Sequence, residues 1–264
     1  MLVAGHGLTV VLTGALSEPS CAVRALPPGF HFVTNSDAVR VSDIHHTYGL
    51  EQADERWLLS YRNQPVTAGT EGHVFAVFGG HLMWHAASVG TDHAYLHAGA
   101  VSFSGKAHLF PGVSNAGKST LVVALVARGF GYMSDEYAMI DDIGDVHPFP
   151  RRIRFDGVSD ADGVVVDATS IGSVEASPLV PAVVVLTSFE PKAQPEVVEE
   201  LSGGQAVAAL LEHCPSMIGS PAASLRRLAR LADQARVIRC VRGEAEEFAD
   251  FFASVILGTS SPHP

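Results

Sequence analysis

The chain has 264 residues, of which 47% are hydrophobic and 17% charged, so it can bury the core of one large domain or two small ones. Its formal net charge of -11 argues against a nucleic acid or an anionic membrane surface as partner, because both need a basic footprint. The three cysteines, Cys21, Cys214 and Cys240, lie far apart without C-x-x-C spacing, which argues against a disulfide framework and against a zinc site.

The apolar opening of the chain, MLVAGHGLTVVLTGAL, does not have the pattern of a signal peptide. It lacks a basic stretch before the apolar run and is interrupted by Gly5, Gly7 and Gly14. No segment reaches the ~18 consecutive apolar residues that a transmembrane helix needs. We therefore expect a cytoplasmic protein that has no membrane partner.

Residues 1–92 are predicted to form a β-rich N-terminal lobe. Short segments rich in β-branched and aromatic residues alternate with Gly, Pro, Asn and Asp, which is typical of strands joined by turns. The pattern also indicates a helix at Gly80–Ala87. The predicted strands are Leu8–Leu12, His31–Thr34, Ala38–Val41, Trp57–Arg62 and His73–Phe78.

Residues 93–258 are predicted to form an α/β nucleotide-binding core, followed by a loose tail at 259–264. A hairpin is expected from Ala98–Phe103 and Ala107–Phe110, and the apolar run Ala182–Thr187 is typical of a strand buried on both faces. The other predicted elements are helices at Ser119–Arg128, Gly203–Cys214, Ala222–Gln234 and Glu244–Ile256, strands at Gly131–Ser134, Ala138–Asp141, Val146–Phe149 and Val237–Val241, and a loop at Phe189–Glu196.

The segment GVSNAGKST has the spacing of a phosphate-binding loop, G-x-x-x-x-G-K-[ST]. A glycine-rich turn between a strand and a helix exposes successive backbone N–H groups, and the helix N-terminus adds a favourable field for an anion. In such a loop Lys118 reaches the β- and γ-phosphates and the Ser119 hydroxyl binds Mg²⁺. The predicted nucleotide-binding residues are Gly112, Val113, Ser114, Asn115, Ala116, Gly117, Lys118, Ser119 and Thr120.

Asn115 stands where many such loops carry another glycine. Of the non-glycine residues, Asn best tolerates a positive φ, so we expect the substitution to leave the loop functional.

Three features together resemble the catalytic core of HPr kinase/phosphorylase and its shorter relatives. They are His97 on the strand before the loop, the loop itself, and the acidic pair Asp135-Glu136 in GYMSDE after the helix. The resemblance covers residues of about 93 to 150. It implies an α/β P-loop core of the HPr-kinase-like type with ATP and Mg²⁺ as cofactors.

The resemblance also implies a role for each matched residue. Asp135 is similar to the general base that receives the proton of the acceptor hydroxyl, and Glu136 to the second acidic residue, which assists the metal or positions the acceptor. His97 is similar to the histidine near the transferred phosphate. Downstream, the acidic-arginine-glycine signature of the full-length enzyme is missing, which leaves the reverse phosphorolysis reaction and the identity of the acceptor open.

Two neighbouring arginines in PFPRRIRF are the strongest further candidates for the site. A guanidinium recognises phosphate through two parallel hydrogen bonds, so Arg151 or Arg152 could hold the γ-phosphate. We take Arg152 as the first choice. The alternative is a solvated basic edge.

The sequence thus predicts a kinase that moves the ATP γ-phosphate to a hydroxyl, with a serine of a protein or precursor peptide as the favoured acceptor. A small-molecule alcohol is the close alternative. A nucleotide-binding regulatory protein without an acceptor is the alternative from a different class. Homo-oligomer formation and the preferred nucleotide base stay open.

Overall fold

The computed structural model describes residues 1–14, 26–33, 45–113, 116–155 and 164–258. The chain divides into two compact units, Met1–Asp92 and His93–Pro264. The division falls where the sequence analysis placed the end of the N-terminal lobe. The predicted strand Ala38–Val41, the tail 259–264, and the loop residues Ser114 and Asn115 lie outside the described residues.

The first unit contains a mixed sheet and one long helix among its described residues. The sheet has the strand order β3-β1-β2-β4-β5-β6, in which β2 and β4 are parallel and the other neighbours antiparallel. Helix α1 packs against β5 and β6. The elements are β1 Leu2–Gly5, β2 Leu8–Gly14, β3 His31–Val33, β4 His46–Ala53, β5 Arg56–Tyr61, β6 Gln64–Gly69 and α1 Glu71–Val89.

The predicted strand His73–Phe78 is wrong, because this segment lies inside α1. The Thr70 side chain accepts a hydrogen bond from the His73 amide and caps the helix N-terminus. Buried residues of the helix, such as Val74, Phe78 and Leu82, recur at the spacing of one helical face. The cap at Thr70 and the helical spacing of the buried residues outweigh the strand preference of the segment HVFAVF.

The second unit is a mixed α/β structure. Its sheet of eight described strands has the order β11-β10-β7-β8-β14-β16-β15, with β9 also paired to β7. Strand β14 runs parallel to both β8 and β16, while β7 is antiparallel to β8. The strands are β7 Ala94–Phe103, β8 Lys106–Pro111, β9 Gly131–Ser134, β10 Tyr137–Ile140, β11 Val146–His147, β14 Pro181–Phe189, β15 Glu196–Leu201 and β16 Arg236–Arg242, and a separate hairpin joins β12 Ile153–Phe155 to β13 Val164–Val166.

Helices cover both faces of this sheet. Helix α2, Lys118–Val126, packs with α5, Ala245–Phe251, and their apolar side chains form one buried cluster with the sheet. Helix α3, Gly203–Leu211, packs with α4, Pro221–Gln234, in a second cluster. A π-helical turn, Phe252–Ile256, continues α5. This layering explains why AVVVLT of β14 is apolar on both faces and confirms that predicted strand.

Most elements predicted for the second unit are confirmed, and strand β15 is the main one that was missed. The sequence pattern predicts a loop at Phe189–Glu196 and no strand between it and the helix that follows. Strand β15 is an edge strand, and its Val197 and Val198 side chains are exposed, so it lacks the alternation of a half-buried strand. Within the described part of the chain, no helix is long and apolar enough to cross a membrane.

A pH-dependent stability is expected for the first unit, because two of its histidines, His46 and His85, are largely removed from water as neutral rings. His46 and His85 stack with ring centroids 3.7 Å apart, and the His85 ring also shares a hydrogen bond of 2.8 Å with the Tyr48 hydroxyl. Burial lowers the pKa of both histidines to about 4. Their contribution to the free energy of unfolding is therefore present above pH 6.5 and lost as the pH falls towards 4.

The measurement is thermal unfolding followed by tryptophan fluorescence, since both tryptophans, Trp57 and Trp84, belong to the first unit. We expect Tm to fall between pH 7 and pH 5. We expect a smaller fall for His46→Phe, which keeps a ring against His85 but cannot be protonated. An equal fall in the two proteins would contradict this account.

Candidate functional site

The predicted phosphate-binding loop lies between β8 and α2. Strand β8 ends at Pro111, which pairs with Ala98 of β7, and the Gly112 amide donates to the His97 carbonyl at 3.2 Å. Helix α2 begins at Lys118. The order of strand, loop and helix that an anion site of this type needs is therefore present.

Gly117 and Arg242 fix the second half of the loop. Gly117 precedes α2 with φ +75°, a conformation that favours glycine. An added Cβ at Gly117 would lie 2.9 Å from an Nη atom of Arg242, so the guanidinium lies directly against the loop. Arg242 ends β16, is almost fully buried, and donates to the carbonyl oxygens of Ala116 at 2.6 Å and Gly243 at 3.1 Å.

The Lys118 ammonium lies at the start of the same loop. Its Nζ donates to the carbonyl oxygens of Gly112 at 3.1 Å and Val113 at 2.8 Å. Burial lowers the pKa of Lys118, although the charges of Glu136 and Asp135 act in the opposite direction. A cation that is partly removed from water is thus held beside the loop that would receive a phosphate.

Asp135 is the most completely bonded side chain of the site. Its Oδ1 accepts from the Tyr132 hydroxyl and from Arg151 Nε, each at 2.9 Å. Its Oδ2 accepts from the Ser119 hydroxyl at 2.7 Å and from Arg151 Nη2 at 3.0 Å. The side chain has no exposed surface, so these four donors replace the water that would otherwise solvate the carboxylate.

The backbone explains why Asp135 reaches Ser119. Strands β9 and β10 both pair with β7, and the Asp135-Glu136 step interrupts them. The buried Ser134 hydroxyl accepts from the amides of Glu136 and Tyr137 at 3.2 and 3.1 Å and holds this interruption. The carboxylates therefore lie beside β7, on which α2 packs.

Gly99 of β7 permits the close approach of α2. An added Cβ at this position would lie 2.7 Å from Cγ2 of Val122, closer than atoms in a folded protein tolerate. Because Gly99 has no side chain, the first turn of α2, which contains Lys118 and Ser119, can lie close to β7 and to Asp135.

Glu136 is the more accessible of the two carboxylates. Its side chain is 28% exposed, against none for Asp135, and contacts Arg151 Nη2 at 3.1 Å and His97 Nε2 at 3.5 Å. Burial raises the pKa of Glu136, but the hydrogen bond from His97 and the Arg151 charge outweigh burial and lower it. Glu136 is therefore ionised at neutral pH and can accept a proton.

The structure brings together most of the residues that the sequence predicted for the site. Ser119, Asp135, Glu136 and His97 are joined, through Arg151, by the contacts above, and Lys118 lies near enough for the charges of both carboxylates to act on it. Thr120 lies exposed in the first turn of α2, and Val113 lies exposed at the start of the loop.

Arg152, the expected phosphate-binding arginine, is not part of this cluster. Its side chain is exposed and its charge acts on Asp167. The neighbouring Arg151 contacts both carboxylates instead. Consecutive residues in an extended segment point in opposite directions, so only one of the two arginines can face the acidic pair.

The sequence reasoning missed three residues that support the site: Tyr132, Ser134 and Arg242. Tyr132 lies three positions before Asp135, and Ser134 directly before it, so GYMSDE contained a local signal for both. Arg242 lies 126 positions from Ala116, and its contact with the loop depends on the parallel pairing of β14 and β16. No short-range pattern in the sequence could have indicated it.

The Ser119 hydroxyl is the candidate metal ligand of this site. It is a hard oxygen donor of the kind that Mg²⁺ prefers, and the carboxylates of Asp135 and Glu136 beside it would favour a cation. Because Ser119 donates its proton to Asp135, its oxygen lone pairs stay available for a metal.

A cavity of about 400 Å³ lies beside the loop, at the carboxyl ends of β8, β14 and β16. Its lining includes Gly112 and Val113 of the loop, Thr187 and Ser188 of β14, and Glu212 after α3. Crevices at the carboxyl ends of parallel strands are common ligand sites in α/β proteins.

No protein-family model matches this chain, and no curated protein matches it in sequence. The functional assignment therefore depends on the loop, the acidic pair and the contacts that join them.

Gly99→Ala is expected to lower the free energy of unfolding by about 1–3 kcal/mol, because the new methyl group overpacks the β7–α2 contact. Val122→Ala removes the side-chain methyl group that the new alanine at position 99 would contact. The double variant should therefore be less destabilised than the sum of the two single variants. Urea unfolding measures all three, and strictly additive effects would show that the two positions do not contact each other.

Arg151→Gln and Arg152→Gln form a matched pair at adjacent positions. Arg151→Gln leaves the buried Asp135 carboxylate without two of its four donors, and we expect a loss of about 3 kcal/mol or more in the free energy of unfolding. Arg152→Gln changes an exposed side chain and should stay within about 0.5 kcal/mol of the parent protein. Equal losses in the two variants would contradict the described contacts.

Proposed function

We propose that the protein is a Mg²⁺- and ATP-dependent kinase that transfers the γ-phosphate to a hydroxyl group. The observation that carries this proposal is the hydrogen bond from Ser119, at the first turn of the helix after the loop, to the buried carboxylate of Asp135. It joins a candidate phosphate-binding element to a pair of carboxylates. Simple phosphate binding needs the loop alone, whereas transfer to a hydroxyl also needs a group that receives a proton.

The loop side of the site supplies charge neutralisation. The nucleotide phosphates would be bound by the loop N–H groups, by Lys118 and by Mg²⁺ on Ser119. Most of the rate enhancement in phosphoryl transfer comes from such positioning and electrostatic stabilisation. Arg151 adds a second cation that faces the acidic pair.

The contacts of the two carboxylates favour roles opposite to those expected from the family resemblance. A carboxylate has about four lone-pair sites, and all those of Asp135 are matched by its four donors. We therefore assign to Asp135 the orientation of the Ser119 hydroxyl, which would hold the metal. Glu136 is partly exposed and lies beside His97, so it is the carboxylate that an acceptor can approach.

The proposed reaction then balances in a single displacement. The acceptor oxygen attacks the γ-phosphorus, its proton passes to Glu136, and the bond between the γ-phosphorus and the bridging oxygen breaks to release ADP. His97 holds the Glu136 carboxylate in place from β7. Lys118, Arg151 and the metal offset the charge that develops on the transferred group.

Two classes of acceptor fit this chemistry. The resemblance favours a serine of a protein or precursor peptide, and a small-molecule alcohol is the alternative within the same chemistry. A regulatory protein that binds a nucleotide without an acceptor would use the same loop. ADP formation that depends on an added peptide, on an added alcohol, or on neither separates the three.

Glu136→Gln and Asp135→Asn test the division of roles. Glu136→Gln should lower the rate of phosphate transfer by about 10²- to 10⁴-fold while the Kd for MgATP stays within about twofold, because only the proton acceptor is lost. Asp135→Asn should mainly weaken MgATP binding, because it removes the charge beside Ser119. Calorimetry gives the Kd values and a phosphate-transfer assay gives the rates.

Lys118→Ala serves as the reference variant, since it should abolish nucleotide binding or turnover. The reversed pattern, with normal transfer in Glu136→Gln and an intact Kd but no transfer in Asp135→Asn, would return the role of base to Asp135. Normal transfer in both variants would remove the carboxylates from the mechanism.

A further inference from the structure

The order of the strands divides the site into two sides. Along the sheet, the acidic pair between β9 and β10 lies on one side of β7 and β8, and β14, β16 and β15 lie on the other. The loop leaves from β8, between them. Asp135 and Glu136 therefore lie across β7 and β8 from the part of the cavity that β14, β16 and Val198 of β15 line. The near edge of the cavity is His213, whose carbonyl accepts from the His97 amide at 2.8 Å.

The cavity has the chemistry of a site for a flat apolar group that carries hydroxyls. Val113 and Val198 contribute to the lining and are 65% and 58% exposed, so each leaves apolar surface that a ligand could cover. Thr187 and Ser188 add hydroxyl groups, and Glu212 adds a carboxylate.

In-line transfer requires that the attacking and the leaving oxygens lie on opposite sides of the transferred phosphorus. If the acceptor hydroxyl approaches from the side of Glu136, the rest of the nucleotide has to extend away from the acidic pair. The cavity lies on that side of the loop, because Gly112, Val113 and Ala116 of the loop contribute to the cavity lining.

We propose that this cavity binds the base and ribose of the nucleotide, and that the acceptor enters from the opposite side, over β10. This inference rests on the proposed function, because it needs the phosphates on the loop and the acceptor at Glu136. Val113 and Val198 cover the base, Glu212 accepts hydrogen bonds from the ribose hydroxyls, and Thr187 and Ser188 contact the base edge.

The test compares MgATP with magnesium tripolyphosphate, which has the phosphates but no nucleoside. Calorimetry on the full chain gives both Kd values. For the parent protein we expect MgATP to bind at least about tenfold more tightly than tripolyphosphate, because only ATP fills the cavity. Ser188→Trp places a large ring in the cavity from an exposed position, and it should reduce this difference to about twofold or less while tripolyphosphate affinity is unchanged.

Ser254→Trp is the matched control, since Ser254 is exposed in the turn after α5 and does not line the cavity. It should keep the full preference for ATP. If neither ligand binds the parent protein, the proposed function itself fails. If both bind with equal affinity, or Ser188→Trp leaves the preference intact, the phosphate site stands and the nucleoside site is overturned.

Photolabelling with an azidoadenosine triphosphate gives an answer that does not depend on the folding of a variant. Mass spectrometry of the labelled parent protein should place the adduct on the ends of β14 or β16 or on β15. A label on β10 or on the Arg151 segment would overturn the assignment.

Discussion

The site depends on one constraint, the hydrogen bonding of a carboxylate whose side chain has no exposed surface. Ser119, Tyr132 and Arg151 together direct four donors at the two oxygens of Asp135 and replace the water that burial removes. These donors belong to three separate segments: the first turn of α2, strand β9, and the extended chain before β12. The hydrogen bond from Ser119 to Asp135 therefore fixes the position of helix α2. Because α2 begins at the loop, the geometry of the loop is coupled to the acidic pair.

The packing of the sheet makes this coupling possible. Gly99 lets α2 approach β7, and the interruption held by Ser134 directs two consecutive carboxylates to the site. Because their surroundings differ, these carboxylates have different capacities. All lone-pair sites of Asp135 are taken, so it can orient the Ser119 hydroxyl, whereas Glu136 keeps exposed surface and has His97 as its neighbour. Asp135 and Glu136 are adjacent in the sequence and chemically alike, but their different surroundings suit them to different roles.

The sequence predicted the features that are specified locally and missed those that depend on distant pairing. The strand, loop and helix around GVSNAGKST could be predicted, because glycine spacing and apolar runs act over a few residues. His73–Phe78 was assigned to a strand because its composition favours one, while the cap at Thr70 and the buried helical face decided the outcome. Arg151 and Arg152 have the same chemistry, and only the direction of the extended segment selects between them. Arg242 could not be found, because strand pairing brings it to Ala116 across 126 positions.

The two buried cations of the loop are stabilised by main-chain oxygens. Lys118 donates to the carbonyls of Gly112 and Val113, and Arg242 donates to that of Ala116. A carbonyl dipole offsets only part of the cost of burying a full charge, and an anion offsets more of it. Under the proposed function, a nucleotide phosphate would therefore take Lys118 from its carbonyl partners, while Arg242 could keep its bond to Ala116 and hold the loop in place. In that arrangement Arg242 supports the shape of the loop, and Lys118 supplies the charge that the phosphates meet.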